Sequence, residues 1–369
     1  MIKRILLKDK LGETLVFSNP VEVLYARNME EVRECISNLD SYKKKGFYVA
    51  GYLSYESGWA FVDQDKVTHS NVLPLCAFGI YRDVNKLKVF PKIKINLSKN
   101  LEFKPNISRK AYDDSIIKIH EEIRRGNTYQ VNFTFLLQAK NIYTQLSKRL
   151  IDLVPWPYSA CIEAEDFSIY SASPELFFQK ELNSILCKPM KGTMRRDKDP
   201  IYDRLIKERL KKSNKDKAEN IMITDMVRND LGKICDPASV LDSDLCNVEP
   251  FPTVWQMTSS VTGKSNASIE TIFKALFPSA SITGAPKHST MKIIRDMEVS
   301  PREIYTGAIG YIDPNGDAQF SVAIRTLQID HKKEVISYGI GSGITIDSVS
   351  NLEYQECLDK ARVLNMLLV

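Results

Sequence analysis

Histidine is scarce in this sequence. The four histidines (His69, His120, His288 and His331) show no HExxH spacing, so histidine-based metal chemistry is not expected. Cysteine is present but unorganised. The seven cysteines, Cys35, Cys76, Cys161, Cys187, Cys235, Cys246 and Cys357, include no CxxC pair, and their number is odd. That argues against a disulfide framework or a zinc site and for a reducing cytoplasm. No stretch approaches the ~20 apolar residues of a membrane span, and MIKRILLKDK at the start has too short an apolar run for a signal peptide. Strong charge of one sign is also missing. A net charge of +5 over 369 residues is modest, and the Lys-rich runs 43–45 and 207–217 read as solvated surface, so no nucleic-acid partner is expected. There is no internal repeat, low-complexity segment or linker. One co-folded unit over 1–369 is expected, with a strand-rich part over 1–105 and a second region over 106–369.

At 43% hydrophobic residues the chain can bury a large core. Tyr, Phe and Val concentrate in GFYVAGYLSYESGWAF (46–61), and LCAFGIYRDV (75–84) and LKVFPKIKINL (87–97) read as further strands. Ser108 caps a predicted helix from about Arg109 to Arg125, and QVNFTFLLQA (130–139) follows as a strand with Gln130 at its start. Residues 199–229 read as helical, with Ile221, Met222, Asp225 and Met226 forming a stripe. TGAIGYI, a DPNGD turn and AQFSVAIRTLQID (306–330) give a hairpin signal, with Arg325 in an alternating apolar strand. EVISYGIGSGITIDS (334–348) reads as a strand entering a Gly-Ser-Gly turn, and a last helix starts near Ser350. Hairpins without βαβ alternation indicate an α+β fold.

Chemistry centres on KPMKGT (188–193). Lys191 lies among Pro189, Gly192 and Thr193, with Lys188, Arg195 and Arg196 nearby. Neighbouring cations and burial favour a neutral, nucleophilic lysine; alone, the segment reads more readily as a solvated basic turn. Glu175 in SPELFF, and Glu219 in a charged helix, each have a solvent-facing alternative. Ser281 to Ala285 lead into a helix opened by Pro286, where backbone N–H groups would suit an anion. Arg325 needs a carboxylate or phosphate if it points inward. Glu353, Glu356 and Lys360 share a helix face, and Ser350-x-x-Glu353 reads as a capping box.

YQVNFT, SPELFF, KPMKGT, AENIMITDMVRNDLGKI, TVWQMTSSVTG, FPSASITGAPK, YTGAIGYI, SVAIRT and GSGITIDS with EYQECLDKA run in order over about residues 110–369. As an ordered set they resemble the chorismate-utilising enzyme family. The resemblance implies two large, mostly antiparallel β-sheets packed as a sandwich with helices outside, and a site in the cleft between them. Lys191 with Gln130 resembles the branch that delivers an amine to carbon 4 of chorismate. The anthranilate-forming branch typically has Ala at the first position, and the water-adding branches have Lys at the second. Anthranilate synthase component I is the alternative enzyme, and a non-catalytic chorismate-binding scaffold is the alternative outside catalysis.

Further roles are implied by the same resemblance. Lys191 is the covalent nucleophile and Glu175 the general acid. Glu219 and Glu356, with Glu353 as a third candidate, hold Mg²⁺. Arg325 and Tyr305 bind the enolpyruvyl carboxylate. N–H groups around Gly284, Ala285, Gly341, Ser342 and Gly343 contact carboxylates, while Gln130, Gly192, Thr193 and Lys360 complete the pocket. The implied partners are chorismate, ammonia, a separate glutamine amidotransferase subunit (no GxCxG-type glutaminase signature is present) and a downstream aminodeoxychorismate lyase. Gln256 departs from the pattern, since many members have His in that slot. No tryptophan-pocket motif is evident.

Overall fold

The computed structural model describes residues 2–62, 73–91, 101–140, 156–361 and 364. Among the described residues the strands form two ten-stranded sheets whose pairings are antiparallel. The first runs Gly284–Ala285, Gln130–Lys140, Val335–Ile344, Thr326–Asp330, Phe167–Ser173, Tyr158–Ala164, Ile2–Lys8, Thr14–Ser18, Asn85–Leu87, with Lys104–Pro105 also on Gln130–Lys140. The second runs Met190–Arg195, Val254–Lys264, Ser184–Lys188, Leu176–Glu181, Ala318–Val322, Ala308–Ile312, Tyr48–Leu53, Cys76–Tyr81, Glu22–Ala26, with Leu241–Pro250 also on Val254–Lys264. This is the α+β architecture expected. The early strands enter both sheets.

Between the sheets lies an apolar layer that includes Ile5, Ile162 and Ile169 from the first and Ala50, Tyr52 and Ile309 from the second. Tyr52 meets Phe167 edge-on at 6.0 Å between ring centroids. Helices cover outer faces. Phe273 of Ile269–Leu276 packs on Phe320 and Phe178, and Tyr112 of Arg109–Arg124 packs on Phe133 and Phe135. Large aromatic side chains dominate such burial because each removes so much surface from water.

Several expectations hold at residue level. Ser108 Oγ accepts from Ala111 N–H and caps Arg109–Arg124. Asp313 organises the turn between Ala308–Ile312 and Ala318–Val322, accepting from the backbone of Asn315 and Asp317. Others are corrected. Residues 199–229 form two helices, Pro200–Lys212 and Asn214–Gly232, because Ser213 leaves the helix and caps the second. The stripe Ile221, Met222, Asp225 and Met226 is the outer face of that second helix; Ile223, Val227 and Leu231 are buried with Asn220, Thr224 and Asp230. Its inner face is mixed because Asn220 bonds the polar edge of Val254–Lys264, at Met257 O and Ser259. The helix Met29–Lys44 was not expected, although Asn28-x-x-Glu31 signals it: Asn28 accepts from Glu31 N–H, and Glu31 accepts from Arg27 N–H. Of the strand expected over 87–97, residues 92–97 lie outside the described residues.

Candidate active site at the ends of the two sheets

Lys191 sits on a β-bulge. Met190 lies opposite Thr258 and Thr193 opposite Gln256, so three steps on one strand match two on the other. A bulge bends its strand and re-aims a side chain. Gly192 completes it at φ +84°, a backbone conformation that a residue with a Cβ rarely adopts, and a Cβ there would stand 2.8 Å from Asp216 Cβ. The Lys191 ammonium crosses toward the other sheet. A Cβ at Gly343 would lie 3.2 Å from Lys191 Nζ and 2.4 Å from Gln130 Nε2. Glycine at 343 is therefore what admits Lys191 and Gln130 to one place.

Burial pushes the Lys191 ammonium below its ordinary range, Lys360 adds to this, and Glu219, Glu175 and Glu356 oppose it. The cations near Lys191 in sequence are not the cause. Lys188 is paired with Glu249 at 2.7 Å and Arg196 with Asp203 at 2.8 Å.

Glu175 and Arg325 occupy two adjacent crossings between the sheets. Glu175 lies between Phe167–Ser173 of the first and Leu176–Glu181 of the second; Arg325 lies between Ala318–Val322 of the second and Thr326–Asp330 of the first. Arg325 is thus not within a strand. The chain turns there at φ +53°. The crossings are stitched together: Val322 N–H donates to Glu175 O at 3.1 Å, Ala172 N–H to Arg325 O at 3.0 Å, and Ser173 Oγ to Val322 O at 2.6 Å. Glu175 is buried and accepts a short hydrogen bond from Ser281 Oγ. Burial pushes its carboxyl up to about 7, against the pull of Ser281 and Lys191.

Arg325 lies 4.0 Å from the ring centroid of Trp156, which stacks on Phe251. Burial lowers its guanidinium below the ordinary range, and Nη1 has no hydrogen-bond partner among the described residues. A crowded cation without a counter-ion is suited to an incoming carboxylate. Tyr305 is buried and keeps its phenol protonated for the same desolvation reason.

Gly341, Ser342 and Gly343 do not form a turn. They continue the strand Val335–Ile344 opposite Thr134, Phe133 and Asn132, because glycines here serve close approach rather than reversal. Gly284 and Ala285 likewise pair with Val131 and Gln130 as a two-residue strand, and the helix Lys287–Met297 begins only after Pro286. Among the described residues Gln130 Oε1 and Thr258 Oγ1 are buried without hydrogen-bond partners, while Thr283 lies against the Tyr55 phenol and Ser342 against Tyr112 and Cys357. Buried polar atoms are rarely left without a partner, whether protein, ordered water or bound ligand. Nothing local in the sequence marks Thr258 or Trp156, and Ser281 and Thr283 read there only as small residues leading into a helix N-terminus, with no sign of the bond from Ser281 to Glu175.

On the helix Ser350–Ala361, Lys360 Nζ donates to Gly341 O and pairs with Glu356, at 2.9 and 2.8 Å. Both side chains keep about half their surface, 53% for Glu356 and 46% for Lys360. Burial pushes Glu356 up, but Lys360, Lys191 and Lys215 outweigh it and hold it below the ordinary range. Glu219, on Asn214–Gly232, is raised by burial and by Glu356, against Lys191 and Lys215. The capping box is not formed: Ser350 donates to Asp113, and buried Glu353 accepts from Ser348 Oγ at 2.8 Å. Among the described residues no three His, Cys, Asp or Glu side chains converge as a metal cluster. Two carboxylates within electrostatic reach on separate helices still fit Mg²⁺, which takes one or two carboxylates and completes its shell with substrate and water. A groove of about 940 Å³ adjoins the site, lined by residues including Ala218, Met222, Tyr129 and Ala285.

The model of the family described as chorismate binding enzyme matches residues 6–366. Aminodeoxychorismate synthase component 1 of Klebsiella aerogenes is 37% identical over 270 residues, covering 72% of this chain and 59% of the relative. The chain thus spans about three fifths of that relative's length. Its counterpart in Escherichia coli K12 is 32% identical over 348 residues, covering 86% of this chain and 76% of the relative. The crystal structure of anthranilate synthase component I from Streptococcus pneumoniae TIGR4 superposes with TM-score 0.78 at 21% identity, covering 95% of this chain and 91% of that one. With the two-sheet fold, and a family model that matches nearly end to end, this chain belongs to the chorismate-binding enzyme family.

Proposed function

We propose that this chain aminates chorismate with ammonia, giving 4-amino-4-deoxychorismate through a covalent Lys191 intermediate. The observation that carries this reading is the pairing of Lys191, kept toward its neutral form by burial, with Glu175, kept protonated to about pH 7 by burial. Neutral Lys191 attacks ring carbon 2 while Glu175 gives its proton to the departing hydroxyl at carbon 4, which leaves as water. Ammonia then adds at carbon 4 and expels Lys191, and the Glu175 carboxylate takes the surplus ammonium proton. Arg325 and Tyr305 hold the enolpyruvyl carboxylate. Gln130 offers a buried carbonyl oxygen that has no partner among the described residues.

Glu219 and Glu356 are the residues to hold Mg²⁺, with Glu353 behind them. Bound there, the ion supplies a charge clamp for the ring carboxylate and draws electron density from the diene. Lys360, anchored on Gly341 O, keeps Glu356 ionised for that purpose. Ammonia comes from solution or from a separate glutamine amidotransferase subunit. A downstream aminodeoxychorismate lyase then yields para-aminobenzoate for folate, in a cytoplasmic setting.

The test is a product assay with chorismate, Mg²⁺ and ammonium near neutral pH, with and without an aminodeoxychorismate lyase. Para-aminobenzoate formed only with the lyase is the expected outcome. Fluorescent anthranilate formed without it would move the chain to the other branch, and no turnover even with the glutaminase subunit would leave a scaffold.

A further inference from the structure

The Gln256 side chain is buried at 5% exposure on the strand that pairs with the Lys191 strand. Its Oε1 accepts from Thr193 Oγ1 at 2.7 Å, and its Nε2 donates to Gly192 O at 2.8 Å. The chemistry fixes this orientation, because a carbonyl only accepts and so must meet the amide nitrogen. Both partners belong to the bulge, as the two residues directly after Lys191.

We propose that Gln256 is the positioning residue that aims Lys191, by clamping the bulge from the neighbouring strand. A bulge interrupts the regular ladder and leaves its extra residue unpaired. Gln256 replaces the missing ladder contact with a side chain whose donor and acceptor lie on one fork. The donor holds Gly192 at its positive φ, and the acceptor holds Thr193, the residue opposite Gln256 in register. An imidazole has its two nitrogens on different edges of the ring and cannot offer both contacts to adjacent residues in this way. An amide also carries no proton that titrates near neutrality, so the clamp is the same at every working pH. Histidine here would make the hold on Lys191 pH-dependent.

The catalytic part of this inference rests on Lys191 being the nucleophile, and the experiment keeps the two claims apart. Gln256→Met keeps the length and loses both hydrogen bonds. Gln256→Glu keeps the shape and the acceptor for Thr193 but loses the donor to Gly192. Backbone hydrogen exchange is measured by mass spectrometry on the ligand-free chain, and steady-state amination is measured in parallel. Both variants are expected to speed exchange in the 188–196 segment on the order of tenfold, the scale of one lost buried hydrogen bond. Exchange in the 308–322 hairpin should not change. The kcat is expected to fall by a similar factor with KM for chorismate unmoved. Unchanged exchange, or faster exchange with unchanged kcat, would overturn the proposal. If the parent chain makes no product, the functional reading fails, and the exchange result still decides whether Gln256 holds the bulge.

Discussion

Burial acts on Lys191 and Glu175 in opposite directions and toward the same end. It lowers the ammonium and raises the carboxyl, so both are driven toward their neutral forms. A neutral amine attacks and a neutral carboxyl donates, which is the combination that displacement of a hydroxyl requires. The sign of the pH dependence follows. Glu175 is competent while protonated, so the rate falls as pH rises through about 7; Lys191 is competent once deprotonated, so the rate falls on the acid side. A profile of kcat/KM corrected for free ammonia is expected to be bell-shaped. Ser281 is one of the two groups that pull Glu175 down, the other being Lys191, while Tyr158 is itself raised by the Glu175 charge. Ser281→Ala is therefore expected to move the alkaline limb to higher pH and lower kcat on the order of tenfold. Ser281→Thr, which keeps the hydroxyl, should restore the limb. An unmoved limb in Ser281→Ala would remove Glu175 from the role of acid.

The chain leaves one sheet for the other at both Glu175 and Arg325, and the same two crossings bond to each other through Ser173, Val322 and Ala172. A residue between two sheets is exempt from ladder pairing and can face the cleft. Approach across that cleft is governed by glycine. In Gly343→Ala the new methyl meets the far ends of Gln130 and Lys191 side chains rather than backbone, so the fold should survive while the site is displaced. Amination is expected to fall on the order of tenfold or more, with the melting temperature nearly unchanged, as scanning calorimetry would show. Local pattern made some elements legible in the sequence: Ser108 announces its helix, and the Asp313 turn announces its hairpin. The sequence predicts a turn at Gly341–Gly343 where the structure has a strand, because a glycine needed for approach from another sheet looks the same locally as one needed for reversal. The stripe on Asn214–Gly232 was misplaced because its buried face carries Asn220, Thr224 and Asp230, polar groups answered only by a strand distant in sequence. The motifs run in order along the sequence, whereas the bulge, the contacts of Gln256 with Gly192 and Thr193, and the bond from Ser281 to Glu175 depend on register between strands that no single segment encodes.

Across the whole molecule, buried charge links the early strands to the site. Arg302 pairs with Glu298 at 2.7 Å, donates to Ile282 O and Asn132 O, and lies 4.2 Å from the Tyr55 ring centroid. Its backbone N–H donates to Glu56 Oε1 at 2.7 Å. Burial pushes Glu56 up to about 7, as it does Glu175. For both groups the folded state holds a proton that the unfolded chain releases nearer 4.5. Stability is therefore lost as pH rises from about 4.5 to about 7, by on the order of 3 kcal/mol per group. Glu56→Gln should flatten that slope in thermal melts between pH 5 and 8 (on the order of these limits), and a slope identical to the parent's would show that Glu56 is solvated. The most direct test of the central claim is the intact mass of the chain after quenching with chorismate and Mg²⁺ in the absence of ammonia. The expected result is a species heavier by chorismate less water, mapped by peptide analysis to Lys191, lost in Lys191→Ala and discharged as 4-amino-4-deoxychorismate when ammonium is added. Full product formation by Lys191→Ala, with no adduct on the parent chain, would contradict it.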